Sequence, residues 1–192
     1  MKHRSPLLTL ALFAVFCSQT VAQERPFGEN LLQTLPLPVG EWDVFSDKDG
    51  TDVRWIEKSD RELLQTKVMR GAGSRAGEYK ALDIASGQKH CAVFDAQVLF
   101  EGMVNGYEAV LWRSDCERSN KAVSAFMHLA VAGKDAYYLV QKAWQFKPTE
   151  ENAAIWLKYM RSVSLCDTRS SAHPCPELKS VPTDKDLTSR SR

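Results

Sequence analysis

The stretch that most constrains this chain runs from Asp135 to Arg169, DAYYLVQKAWQFKPTEENAAIWLKYMRSVSLCDTR. It opens with aromatic and branched residues suited to a strand, turns at Lys147-Pro148-Thr149, and continues as an amphipathic helix. In that helix Ala153, Trp156, Leu157, Met160 and Val163 fall at i, i+3, i+4, i+7 and i+10, one apolar stripe at helical period. Thr149 can cap its N-terminus, and Glu150 and Glu151 stand in the first turn, where the helix dipole favours carboxylates. A helix with one apolar stripe must bury it. This one is expected to lie as a lid on one face of a sheet, with Cys166 tying down its end.

The sheet is legible upstream. Val98–Val104 and Tyr107–Ser114 flank Asn105-Gly106, a strong signal for a two-residue hairpin turn. Val123–Val131 and Ala136–Phe146 flank a second tight turn at Gly133-Lys134. Glu41–Lys58 reads as a further hairpin: Trp42 and Val44 alternate with polar neighbours, Asp49-Gly50 marks the turn, and Val53 and Trp55 return. Leu63–Met69 supplies another strand, followed by glycine-rich Gly71–Gly77 and a helix from about Arg75 to Gln88 with Tyr79, Leu82 and Ala85 on one face. The glycines stand where a phosphate-binding turn could be. Their spacing matches neither the dinucleotide fingerprint nor the P-loop, so they read as a connector. This order predicts an α+β domain: an antiparallel sheet of about six to seven strands, one inserted helix, and a C-terminal helix packed on it.

The N-terminus bears on compartment. Lys2, His3 and Arg4 make a basic start, Leu7–Phe16 an apolar core, and Thr20-Val21-Ala22 a small-residue cleavage site, the pattern of a secretion signal. The apolar run is short for a bilayer span. Cys17 is preceded by bulky Phe16, which disfavours a lipoprotein reading. The expected organisation is a signal at 1–22, an extended lead-in at 23–40, one α+β domain at 41–175 and a flexible polar tail at 176–192. Removing Lys2 and Arg4 from 25 basic residues leaves 23 against 24 acidic ones. That near balance gives no electrostatic pull toward nucleic acid or anionic membranes.

Four cysteines follow the signal: Cys91, Cys116, Cys166 and Cys175. In an exported chain an even count reads as two disulfides with three possible pairings, of which Cys91–Cys116 and Cys166–Cys175 join nearest neighbours. Zinc is the rival, with His90, Cys91, Cys116, Cys166, His173 and Cys175 as potential ligands. No pair has the short spacing of a structural zinc site.

Catalytic signals are sparse. After the signal the histidines are His90, His128 and His173. His128 lies in the apolar run Phe126-Met127-His128-Leu129 and reads as a sheet histidine, while His90 abuts a disulfide-bound thiol and His173 sits between two cysteines. There is no nucleophile elbow and no zinc-protease helix. Asp47 and Asp49 belong to a turn, and the DKDG run lacks the downstream glutamate of a calcium loop. Arg169 reads first as a partner of Asp167 or of the last helix carbonyls, and second as an anion-recognition group at a pocket mouth. Tyr138 and Trp144 share one strand face, Tyr137 and Leu139 the other, and Trp112 and Tyr107 face oppositely in a neighbouring hairpin. Some of these rings must fill the core, and any left exposed would anchor a partner.

A resemblance rests on Glu29-Asn30-Leu31-Leu32 with Pro38-Val39-Gly40, on Asn105-Gly106-Tyr107 with Trp112 and Cys116, on Tyr138 to Ala143, and on Ser162-Val163 with Cys166-Asp167-Thr168-Arg169. In these the chain resembles an uncharacterised family of small exported proteins from Pseudomonas and related proteobacteria. It departs from that pattern over Gly71–Gln88. The element order is also similar to the Mog1/PsbP-like fold, whose proteins are mostly accessory or binding proteins.

The expectation is therefore a periplasmic or secreted, non-enzymatic protein that binds or modulates another protein of the cell envelope, for example as an inhibitor or immunity-type partner. A small-ligand carrier is the alternative, marked by a cleft between sheet and helix lined by Trp and Tyr with Arg169 at the rim. A hydrolase using His128 or His173 is the third reading. The candidate binding residues are Trp112, Tyr138, Trp144 and Arg169. No cofactor, metal, nucleic acid or integral membrane anchor is implied.

Overall fold

Asn105 and Gly106 take φ of 46° and 80° and close a two-residue turn between two long strands, β5 (Val93–Val104) and β6 (Tyr107–Glu117). Both angles lie in the region that such turns demand and that Asn and Gly tolerate best. The computed structural model describes residues 27–59, 61–70 and 76–176. The expected signal at 1–22, residues 71–75 of the glycine-rich connector and residues 177–192 of the expected tail lie outside the described residues. The remaining elements are β1 (Glu29–Leu32), β2 (Trp42–Ser46), β3 (Asp52–Glu57), β4 (Glu62–Arg70), α1 (Ala76–His90), β7 (Val123–Ala132), β8 (Ala136–Trp144), α2 (Glu150–Ser162) and β9 (Ser164–Asp167).

Seven strands form one antiparallel sheet in the order β2-β3-β4-β8-β7-β6-β5. The architecture is α+β, with one helix inserted before β5 and one after β8. Two adjacent hairpins and a meander need only short loops, and the one long connection, from β4 to β5, carries α1. In the β2–β3 turn Asp47 Oδ1 accepts from the Thr51 amide at 2.7 Å.

Strand alternation sorts the side chains onto two faces. One face carries Leu64, Leu111, Met127, Leu129, Tyr138, Val140 and Trp144, and α2 packs on it through Trp156, Tyr159 and Met160. Each large apolar side chain fully buried there contributes roughly 1.5–3 kcal/mol. Thr149 caps α2 by accepting from the Asn152 amide at 3.2 Å, and Asn152 Oδ1 accepts from Trp144 Nε1 at 3.0 Å, so the first turn is tied to β8. The opposite face carries Val110, Trp112, Ala130, Tyr137 and Leu139 under α1.

The structure corrects the sequence reading in two places and adds a strand to it. Helix α2 ends at Ser162, and Cys166 lies beyond it in β9 rather than at the helix end. Within the expected lead-in, Glu29–Leu32 pairs antiparallel with β9 in a separate two-stranded sheet. Leu31 faces Leu165 in that register, an apolar pair that a helix continued past Ser162 would break. Finally, α1 turns Ala76, Tyr79, Asp83 and Gly87 inward, whereas Leu82 is 69% exposed. The inward stripe contains a carboxylate and a glycine, so it carries no apolar period. A Cβ on Gly87 would run into the Phe94 ring, and the missing side chain lets the helix approach β5.

Two disulfides brace this frame. Cys91, just past α1, bonds Cys116 in β6 with Cα atoms 5.5 Å apart, and Cys166 in β9 bonds Cys175 at 4.9 Å. Among the described residues no helix is long and apolar enough to cross a membrane.

Candidate functional site

Helix α1 packs on β5, β6 and β7, and among the described residues its main contacts do not extend over β3, most of β4 or the far end of β8 on the same face. Register dictates what is left uncovered. Ile56 pairs with Leu63, Leu63 with Ala143, and Ala143 with Phe126, so one apolar row crosses four adjacent strands. This row floors a groove of about 720 Å³. Arg61, from the β3–β4 turn, and Arg118, from the β6–β7 turn, stand at its margin. The Arg61 guanidinium lies over the Phe146 ring, 4.7 Å from its centre. Among the described residues neither arginine forms an ion pair.

Glu62 also lines the groove, but its charge is committed to the other face of the sheet. Lys142 is fully buried there, its Nζ 2.5 Å from Glu62 Oε2. The ring centres of Trp156, Trp42 and Trp144 lie 4.5, 4.7 and 5.0 Å from that nitrogen. Burial pushes the Lys142 pKa down to about 8, against the hydrogen bond and charge of Glu62, which hold the proton on. The three indole faces add cation–π attraction, so the ammonium form persists at neutral pH. The sequence reading missed this lysine, whose one signal is a charge in phase with Tyr138 and Trp144. The groove floor was not, because it emerges only when four strands are put in register.

No family model matches the chain, and no curated protein matches it in sequence. Among solved structures it is similar to a Pseudomonas aeruginosa protein of unknown function, at 11% identity and a TM-score of 0.43, over 64% of this chain and 96% of that one. A likeness at that level carries no argument about fold or activity. The functional reading rests on the chain's own residues.

The candidate rings are interior. Trp112, Tyr138 and Trp144 are 0%, 4% and 1% exposed, which leaves no free ring face to anchor a partner. Trp112 instead donates from Nε1 to Asp83 Oδ2 at 2.8 Å, and Tyr138 lies with its hydroxyl 3.3 Å from Glu29 Oε2. Arg169 binds Asp167 through Nε at 2.9 Å and Asp135 through a terminal nitrogen at 2.5 Å. Its hydrogen bond holds the Asp167 carboxyl down at about 2. Asp135 immediately precedes β8, and the groove lies at the opposite end of that strand, so Arg169 is not at its rim.

The histidines are also placed. His128 stacks on Trp112 with ring centres 4.6 Å apart, and burial lowers its pKa to about 4, leaving it neutral at pH 7. Ser114 Oγ lies 3.3 Å from His128 Nε2, and Asp83 Oδ2 lies 3.6 Å from the same nitrogen. A proton relay needs the acid on one ring nitrogen and the hydroxyl on the other. Here both face Nε2, Nδ1 has no partner among the described residues, and Ser114 and His128 are each 1% exposed. His173 Nδ1 is 2.7 Å from the Asn105 carbonyl and its ring rests on Tyr107, which seats the Cys166–Cys175 loop on the β5–β6 turn. His90 Nδ1 lies 2.9 Å from the Ser86 carbonyl, within the last turn of α1. Among the described residues no cluster of three or more His, Cys, Asp or Glu could hold a metal ion.

Proposed function

We propose that this chain is an exported, periplasmic, non-enzymatic binding or accessory protein, and that the groove over Ile56, Leu63, Ala143 and Phe126 is its recognition site. The observation that carries the reading is the uncovered apolar row. A sheet face buried elsewhere under α1 exposes a concave apolar strip here, with two guanidiniums beside it. Export is supported by the secretion-signal pattern at 1–22 and by the two disulfides, which persist in oxidising compartments. The resemblance to small exported proteobacterial proteins points the same way. The test is a titration of the mature protein with an environment-sensitive anionic dye, anilinonaphthalene sulfonate. Saturating one-site enhancement that disappears in Ala143→Trp, with the thermal midpoint kept, supports the reading. Equal dye binding in that variant overturns it.

A partner protein of the envelope, engaged as an inhibitor or immunity-type protein would engage it, is favoured by a different observation. Strand β5 is an edge of the sheet and exposes Val93, Val98, Phe100 and Met103. An added strand could pair with that edge. A photo-crosslinker at Gln97 that yields one reproducible adduct in periplasm, lost in Val98→Lys, supports this second reading. Adducts unchanged by Val98→Lys count against it.

A further inference from the structure

We infer that the groove takes an anionic amphiphile, a hydrocarbon chain ending in a single carboxylate. The inference rests on the groove being the recognition site and adds its ligand class. The floor contributes only hydrocarbon: Ile56, Leu63, Ala143 and Phe126 offer no hydrogen-bonding side chain. From β3 across β4 and β8 to β7 is three inter-strand spacings, about 14 Å, the length of an extended chain of roughly ten carbons. The groove volume falls within the range of small-molecule sites.

The charge at the margin selects the head group. Arg61 and Arg118 are exposed, come from the two turns that bracket the open end, and form no ion pair among the described residues. Of the described residues lining the groove, Glu62 alone carries a carboxylate, and Lys142 neutralises it from behind. Among its described residues the margin is therefore net cationic, and the planar guanidinium fork matches a carboxylate's two oxygens. A neutral ligand would leave both forks unused, and a cationic one would face repulsion.

The experiment is isothermal titration of the mature protein with decanoate, decanamide and decyltrimethylammonium, each below its micelle concentration. Decanoate is expected to bind one to one, about tenfold or more tighter than decanamide, with the ammonium compound weakest. Arg61→Gln/Arg118→Gln is expected to bring decanoate down to the amide's affinity while the thermal midpoint stays put. If amide and carboxylate bind alike, or the double variant keeps the preference, the ligand class is wrong while the groove reading stands. If none of the three binds although the dye still occupies the groove, the ligand class is likewise overturned. If Ala143→Trp leaves decanoate binding intact, the groove itself is the wrong place.

Discussion

Lys142 Nζ lies 2.5 Å from Glu62 Oε2, and this pair joins the tryptophan-lined core beneath α2 to the groove on the other face of the sheet. The lysine side chain is 0% exposed and the glutamate 18% exposed. The two partners therefore have unequal routes back to water.

That inequality sets the first prediction. Glu62→Gln strands a buried ammonium, at a cost of roughly 3–5 kcal/mol. Lys142→Met removes the buried charge, supplies apolar volume against three indoles, and leaves Glu62 able to reach solvent. It is expected to cost clearly less than Glu62→Gln. Urea unfolding midpoints check both. Equal losses in the two variants would mean that lysine and glutamate do not differ in their access to water.

The same lysine gives a pH signature. Its folded pKa of about 8 is below its ordinary 10.5, so between these values the unfolded chain binds the extra proton and stability rises with pH. Tyr107 and Tyr159 have folded values pushed up to about 12 from 10, so their effect is opposite and begins above pH 10. Stability is expected to climb from pH 8 to 10 by about 2–3 kcal/mol and then fall. In Lys142→Met the climb should vanish. A flat wild-type profile over that range would contradict a buried, depressed lysine.

Acid should probe the α1 face. Burial lowers His128 from 6.5 to about 4, with Asp83 opposing, so its neutral form stabilises the fold above pH 6.5 and that contribution is lost as pH falls toward 4. The loss is expected to reach about 3 kcal/mol. Asp167, held near 2 by Arg169, contributes stability present above its ordinary 3.8 and lost only at lower pH, so the two windows separate. Chemical denaturation at pH 7 and 4.5 in wild type and His128→Gln reads the difference. An unchanged pH dependence in the variant would assign the acid loss elsewhere.

Much of the fold was legible because its signals are local. Asn105-Gly106 needs only its own backbone, and the stripe from Ala153 to Met160 needs only one helix. Strand parity correctly separated Tyr138 and Trp144 from Tyr137 and Leu139. Legibility failed where a residue's role is set by something distant in sequence. Glu29–Leu32 became a strand because residues 164–167 lie beside it, and Asp83 turned inward because Trp112 donates to it. The groove is the extreme case. Ile56, Leu63, Ala143 and Phe126 look unremarkable singly and form a surface only through cross-strand register.

Disulfide removal tests how the small β1–β9 sheet is held. The Cys166–Cys175 loop is short, so Cys166→Ala/Cys175→Ala is expected to cost about 2–3 kcal/mol on the loop-entropy account. Hydrogen exchange should then speed up at Asn30–Leu32 and Leu165–Asp167 while α2 stays protected, because Thr149 and Trp156 anchor it independently. Exchange rising equally in α2 would show that the loop supports the whole domain.

Backbone amide shift mapping of the mature protein titrated with decanoate locates the ligand on the sheet residue by residue. Saturating shifts are expected to concentrate at Ile56, Leu63, Phe126 and Ala143, with Arg61 and Arg118 at their margin. Shifts gathered along Val93–Met103 or around Arg169, with the apolar row unmoved, would contradict binding in the groove.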